Sequence, residues 1–313
     1  IDYSDSSTEP SLLLEPQSTN LMTYSEDFSQ WDSLSGASVI NNVLVSPDGS
    51  LNADEFVFDG TSNGRIEERV STTNGLDYTF SIYLKNKDIA NPTQVFIGTS
   101  GGQGEFVTIT NEWQRFTTTQ TANDTYEYPQ VRYNGVGGLY AYGAQFEQRS
   151  YATSYIPTSG STATRLGETA NNAGGAGVFN SEEGVLYAEI NIPKDIDSNV
   201  NISISNGTTS EYVKFIYLTS NKLSAEMRGS GNQVNIDDAS FVLGSYSKVA
   251  VSYKPGEFKL YINGSQVGST LIGSTLPTGL NTLSFDRGDN SAEFFGKTKN
   301  LKVFNYALTD EEL

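Results

Sequence analysis

Apolar residues in this chain come in short stretches that alternate with polar ones, and Gly, Asn, Ser or Asp interrupts them about every eight to twelve residues. Tyr78-Thr79-Phe80-Ser81-Ile82-Tyr83-Leu84, Phe106-Val107-Thr108-Ile109-Thr110 and Asn201-Ile202-Ser203-Ile204-Ser205 each repeat with period two. An extended strand puts alternate side chains on opposite faces, so such segments suit half-buried sheets rather than helices. Asn-Gly pairs at 63–64, 74–75, 134–135, 206–207 and 263–264 mark tight turns. The last lies between Lys259-Leu260-Tyr261-Ile262 and Gln266-Val267 and predicts a two-residue hairpin loop. Only Thr309-Asp310-Glu311-Glu312 reads as a helix start, a hydroxyl followed three residues on by a carboxylate. The expected class is all-β, two antiparallel β-sandwiches joined by a short linker.

Two sandwiches suit 313 residues. Thr158-Ser159-Gly160-Ser161-Thr162 and Asn171-Asn172-Ala173-Gly174-Gly175 bracket a stretch too polar for a core. The predicted division is a connecting segment over 1–20, a first sandwich over 21–160, a linker over 161–177 and a second sandwich over 178–313. The chain has no Cys and no His, which removes disulfides, thiol chemistry and His-dependent mechanisms. With 37 acidic residues against 19 basic ones, its net charge of −18 disfavours nucleic acid and anionic membranes. Residues 1–165 hold 20 of the acids and 8 of the bases, so most of the charge lies in the first half, where an anionic ligand is expected to be harder to accommodate without bridging cations. No apolar run reaches the roughly 20 residues of a membrane helix. Ile1 in place of Met reads as a trimmed start, with any leader outside the sequence.

The segment from Leu12 to Phe28, then Tyr78 to Lys85, Glu112-Trp113-Gln114-Arg115-Phe116, Ala141 to Gln148 and Ala152 to Thr158 resemble, in order and spacing, a module found repeatedly in bacteriophage and prophage tail proteins. That resemblance implies a carbohydrate-binding jelly roll. The second half is similar to the concanavalin A-like, laminin-G-like sandwich. The residues behind this are Lys248 to Tyr253, Phe258 to Gly264, Gly296, and Leu301 to Leu313. It departs from that family at Tyr246-Ser247, where a Trp-His pair is common, so no His-based site is carried over.

A sandwich glycosidase needs two carboxylates facing each other across a cleft, hence acids two or four apart on one strand. The Glu-x-Asp-x-x-Glu strand of concanavalin-like glucanases has no counterpart, and Glu67-Glu68 and Asp237-Asp238 are adjacent pairs that point to opposite faces. The chain is therefore expected not to be an enzyme. A glycan platform needs exposed aromatic faces beside amides and charges. Tyr126, Tyr128, Arg132 and Tyr133 meet that description within one alternating stretch, and Trp31, in a polar context, is expected to be more exposed than Trp113. Calcium, an oxygen-seeking ion, is the cofactor compatible with this composition. Resemblance to jelly rolls with a structural calcium implies Glu147 as a ligand, with Glu26, Asp27 and Asp54 as partners. Arg287-Gly288-Asp289 reads as a turn rather than an adhesion motif.

These readings together predict a non-catalytic phage tail or fibre protein of the virion that binds a bacterial surface glycan. It would assemble with other virion proteins, as a homo-oligomer such as a trimer, without nucleic acid or membrane insertion. The alternatives are a structural decoration protein without sugar binding, or binding modules excised from a secreted polysaccharide-degrading enzyme.

Overall fold

The structure is a computed structural model that describes residues 10–88, 93–194, 196, 198–220, 222–238, 241–272 and 275–313. Among them every sheet pairing is antiparallel, the only helical turns are the 3-10 turns Phe28–Gln30 and Ser100–Gly102, and no helix is long and apolar enough to cross a membrane. The fold is all-β and jelly-roll-like. Chain contacts divide it into two compact units, Gln17–Leu166 on one side and Ile1–Pro16 with Gly167–Leu313 on the other.

In Gln17–Leu166 two five-stranded sheets enclose one core. The first runs Gly104–Ile109, Thr93–Gly98, Gln130–Arg132, Arg65–Glu67, Ser33–Ser35; the second runs Gln114–Thr121, Asp77–Asn86, Val136–Glu147, Leu51–Asp59, Ala37–Val45. Ile66, Val95, Ile97 and Val131 of the first sheet and Phe56, Phe58, Phe80, Ile82 and Phe146 of the second belong to the same buried cluster. Each is 1% exposed or less, so the inner faces are fully dry. Burying aromatic and branched side chains of this size contributes about 1.5–3 kcal/mol apiece, the main term opposing chain entropy in a protein without cross-links.

In the other unit a six-stranded sheet runs Leu12–Leu14, Gly296–Phe304, Gly184–Asn191, Ser247–Lys254, Glu257–Ile262, Ser265–Leu271. A five-stranded sheet runs Asn232–Asp238, Lys222–Gly229, Tyr212–Leu218, Val200–Ser205, Thr282–Ser284. Asn263 and Gly264, both at positive φ, close the hairpin in which Ile262 faces Ser265, as the Asn-Gly signal predicts. The strand Val200–Ser205 alternates as expected, yet its polar residues are as buried as its apolar ones. The segment after Phe285 accounts for part of this, since Asn201 Nδ2 donates to the Ala292 carbonyl at 2.9 Å.

The described residues of the expected connecting segment, 10–20, do more than connect. Leu12–Leu14 lies along the strand Gly296–Phe304 with Leu14 in the core, and Ser18–Asn20 pairs with Ala163–Arg165 at the other end of the jelly roll. Thr309 to Glu312 makes a single turn in which the Glu312 carboxylate accepts both the Thr309 amide and its hydroxyl, rather than the start of a helix.

Candidate functional site

The outer face of the first sheet of Gln17–Leu166 carries the strongest constellation. Strand register sets Ser35, Arg65, Arg132, Phe96 and Phe106 side by side in one row, and Ser33, Glu67, Gln130 and Gly98 in the next. The alternation that sends Ile66 and Val131 into the core sends Arg65, Glu67, Gln130 and Arg132 outward. Gly98 and Gly104 end the second row without side chains. A Cβ at Gly98 would overlap the Gln103 carbonyl oxygen and stand 2.8 Å from Gly104 Cα, so only glycine permits this hairpin. Beyond it, Gly101 and Gly102, at φ of 73° and 78°, form one wall of a groove of about 750 Å³. Its floor and other walls include Arg65, Arg69, Arg132, Tyr128, Gln130 and Asn63.

Each guanidinium is held differently. Arg65 Nε contacts Glu67 Oε1 at 3.0 Å. Arg132 lies over the Phe96 ring, 3.8 Å from its centroid, and Arg69 over the Tyr126 ring at 4.2 Å. Stacking on an aromatic face fixes the plane of a guanidinium while leaving its N–H fork free. Phe106, packed edge-on against Phe96 at 5.6 Å, is 67% exposed at the end of the row.

The predicted residues fare unequally. Tyr128 and Arg132 line the groove. Tyr126 stands behind it, edge-on to Tyr128 at 5.7 Å, and belongs to a separate two-strand ribbon with Val70–Ser71. Pro129 breaks the expected continuous strand, because it offers no N–H to a ladder. Tyr133 turns its ring edge against core Phe58 at 5.7 Å and lines, with Arg132, Phe96 and Phe106, an adjoining pocket of about 230 Å³ rather than the groove itself. Trp31 corrects the expectation outright. It is 4% exposed, edge-on to Phe28 at 4.9 Å, and its Nε1 donates to the Tyr24 carbonyl, whereas Trp113 is partly exposed. The 3-10 turn Phe28–Gln30, capped by Asp27, tucks the indole under the sheet despite its polar neighbours.

The four acidic residues proposed for calcium do not form one cradle. Glu147 is fully buried and spends its carboxylate on Ser18 and Thr153 hydroxyls and the Thr153 amide. Asp54 accepts the Phe28 and Asn42 amides, Glu26 accepts Tyr155 and Asn52, and Asp27 accepts Ser29 and Asn41. Carboxylates already saturated by protein donors leave few lone pairs for an ion needing six to eight oxygens. Among the described residues no group of three or more acids converges on a metal position. Burial, and next the charges of Asp27 and Glu26, raise the Asp54 carboxyl to about 6.

Arg65 and Arg69 escaped the sequence reading. Their signal is the spacing Arg65-x-Glu67-x-Arg69, which puts three charges on one face of an extended segment. A second polar pocket, about 350 Å³, lies on the outer face of the five-stranded sheet of the other unit and is lined by Tyr212, Lys214, Glu226, Arg228, Gln233 and Arg287 among others. Lys214 is 3% exposed, and its Nζ lies 3.0 Å from Glu226 Oε2. Burial lowers the Lys214 ammonium pKa despite that partner. Arg287-Gly288-Asp289 is a local bend closed by an Arg287 to Asp289 ion pair at 2.8 Å.

Residues 179–313 match the model of the Concanavalin A-like lectin/glucanases superfamily. No curated protein matches the chain. Among solved structures it is similar to the carbohydrate-binding module CBM40 of the Ruminococcus gnavus IT-sialidase bound to α2,3-sialyllactose. The two share 19% identity over 47% of this chain and 94% of that one, with a TM-score of 0.38. A SAP-like pentraxin from Limulus polyphemus shares 14% identity over 45% of this chain and 71% of that one, with a TM-score of 0.35. Tailspike protein 2 of Escherichia coli O157:H7 bacteriophage CAB120 shares 16% over 42% and 21%, with a TM-score of 0.34.

Proposed function

We propose that the protein is a non-catalytic attachment protein of a phage virion, and that the groove on the jelly roll binds a bacterial surface glycan. The row Arg65, Arg132, Phe96, Phe106, with Tyr128 and Gln130 beside it, carries the reading. It combines an exposed aromatic face for sugar C–H surfaces with amide and guanidinium donors for hydroxyls, on a rigid sheet. The lectin/glucanase family match of residues 179–313 and the tail-module resemblance of the first half support the setting. The two groove carboxylates are both engaged by the protein, Glu67 by the Arg65 guanidinium and Asp32 by the Arg69 amide, which supports binding over hydrolysis. Assembly as a homo-oligomer, such as a trimer, with other virion proteins would add avidity to a weak site.

A glycan array probed with the full chain tests this reading, with Phe106→Ala alongside. Retention on host-envelope polysaccharide that drops in the variant is the expected result. Equal retention of the variant removes the exposed aromatic end of the row from the binding reading, and new reducing ends released from the polysaccharide refute the non-catalytic one.

A further inference from the structure

The jelly-roll unit is an unfavourable place to find unpaired cations. Residues 17–166 hold 16 acidic and 8 basic residues, so nearly any surface arginine can find a carboxylate. Three of the six arginines of this unit nevertheless line one groove, beside two carboxylates that are already taken, Glu67 by Arg65 and Asp32 by the Arg69 amide, and among the described residues neither the Arg69 nor the Arg132 guanidinium has a carboxylate within ion-pair distance. Their guanidiniums rest on aromatic rings instead, Arg132 on Phe96 and Arg69 on Tyr126. Arg132 Nε is buried without a hydrogen-bond partner, although buried donors are normally satisfied. Two rigidly stacked forks with open donors, facing one cavity, form a receptor for a planar or tetrahedral oxyanion.

We infer that the groove is selective for acidic sugars, with the carboxylate or sulfate of the sugar seated between Arg132 and Arg69. The inference rests on the reading of the groove as a glycan site and names its ligand class. It also reverses the expectation drawn from net charge. Charge repulsion over the whole unit is screened beyond about 10 Å at 0.1 M salt, whereas a bidentate contact inside the groove is not. Asn63, Gln130 and Tyr128 supply the neutral contacts to ring hydroxyls that a bare anion would lack.

The test uses the full chain and paired probes that differ only in charge: an oligogalacturonate against its methyl ester, and a heparin-derived oligosaccharide against its desulfated form. Calorimetry is expected to show the acid bound at least about tenfold more tightly than the ester, the scale of one charge-assisted hydrogen bond. Loss of affinity on desulfating the heparin oligosaccharide identifies sulfate as the group, and loss on esterifying the galacturonate identifies carboxylate. Arg132→Gln should bring acid and ester to equal affinity, while Arg132→Lys, which keeps the charge but not the fork, should keep only part of the difference. Circular dichroism of each variant confirms that the fold is intact. Equal affinity of acid and ester in the wild type overturns the acidic-sugar inference and leaves glycan binding standing. Absence of binding to all four probes by a chain that still binds neutral envelope glycans overturns it too, and absence of any glycan binding sinks both.

Discussion

Removing Lys214 tests how the C-terminal sandwich tolerates charge on a covered sheet face. Its side chain is 4% exposed and that of Glu226 14%, with 3.0 Å between Nζ and Oε2. At an effective dielectric of about 20, two charges at that distance attract by roughly 5 kcal/mol, but desolvating both costs several kcal/mol, so the pair as a whole is near neutral. The asymmetry appears when one partner goes. In Lys214→Met the Glu226 carboxylate keeps the Tyr212 hydroxyl, at 3.4 Å, and loses its cation. Breaking such a pair costs about 3–5 kcal/mol when it is fully buried; the residual exposure of Glu226 places this one near 3 kcal/mol. For a unit of this size that corresponds to a drop of about 6–12 °C in Tm. The double variant Lys214→Met/Glu226→Leu should recover to within about 1 kcal/mol of wild type. Urea unfolding followed by near-ultraviolet circular dichroism reads the tyrosines of both units, so the affected unit is the transition that tryptophan emission does not share. Emission from Trp31 and Trp113, which both lie in Gln17–Leu166, serves as an internal control that should not move. A single variant that costs under 1 kcal/mol, or a double variant no better than the single, would refute the charge argument and leave packing as the cause.

Asp54 makes the jelly roll's stability depend on pH with an unusual sign. Its pKa of about 6 in the folded protein exceeds the ordinary 3.8, so ionisation penalises folding at pH 7 and the penalty lifts as pH falls through 6. Relative to Asp54→Asn, the wild type should gain about 1 kcal/mol between pH 7 and pH 5 after allowance for partial solvent screening, measured by urea titration of tryptophan emission; parallel pH profiles contradict this. Gly98→Ala should lower the stability of the same unit by about 1–3 kcal/mol, because its methyl group would meet the Gln103 carbonyl and the Gly104 backbone; an unchanged melting curve disproves the close approach. Phe106→Ala should leave that curve within about 1 kcal/mol, its ring being 67% exposed, while weakening glycan retention.

Where local chemistry decided the outcome, the sequence was informative. Asn263-Gly264 closes its hairpin, and the alternating segments at 78–84, 106–109 and 201–205 are strands. What register decides was hidden. Arg65 and Arg132 are 67 residues apart and become neighbours only when two short strands pair, so one half of the groove could not announce the other. Trp31 misled because its polar neighbours describe the chain around it rather than the space beneath it. Tyr126 to Tyr133 misled through one residue, Pro129, which splits an apparent platform between two sheets.

The strand Leu12–Leu14 has a consequence for how the chain is made and how it can be cut. It is paired with Gly296–Phe304, so the C-terminal sandwich stays unfinished from the synthesis of Leu12 until that of Thr298. Meanwhile the jelly roll, tied at its base by Ser18–Asn20 and Ala163–Arg165, can fold first and draw the waiting strand toward the rest of its sheet. Roughly halving the remaining loop in this way lowers its closure cost by about 0.6 kcal/mol. A protein begun at Gly167 would carry the family-matched residues and yet leave the stretch Gly296–Thr298 of its last strand bare, an edge open to strand addition that residues 10–16 supplied as a separate peptide should cap.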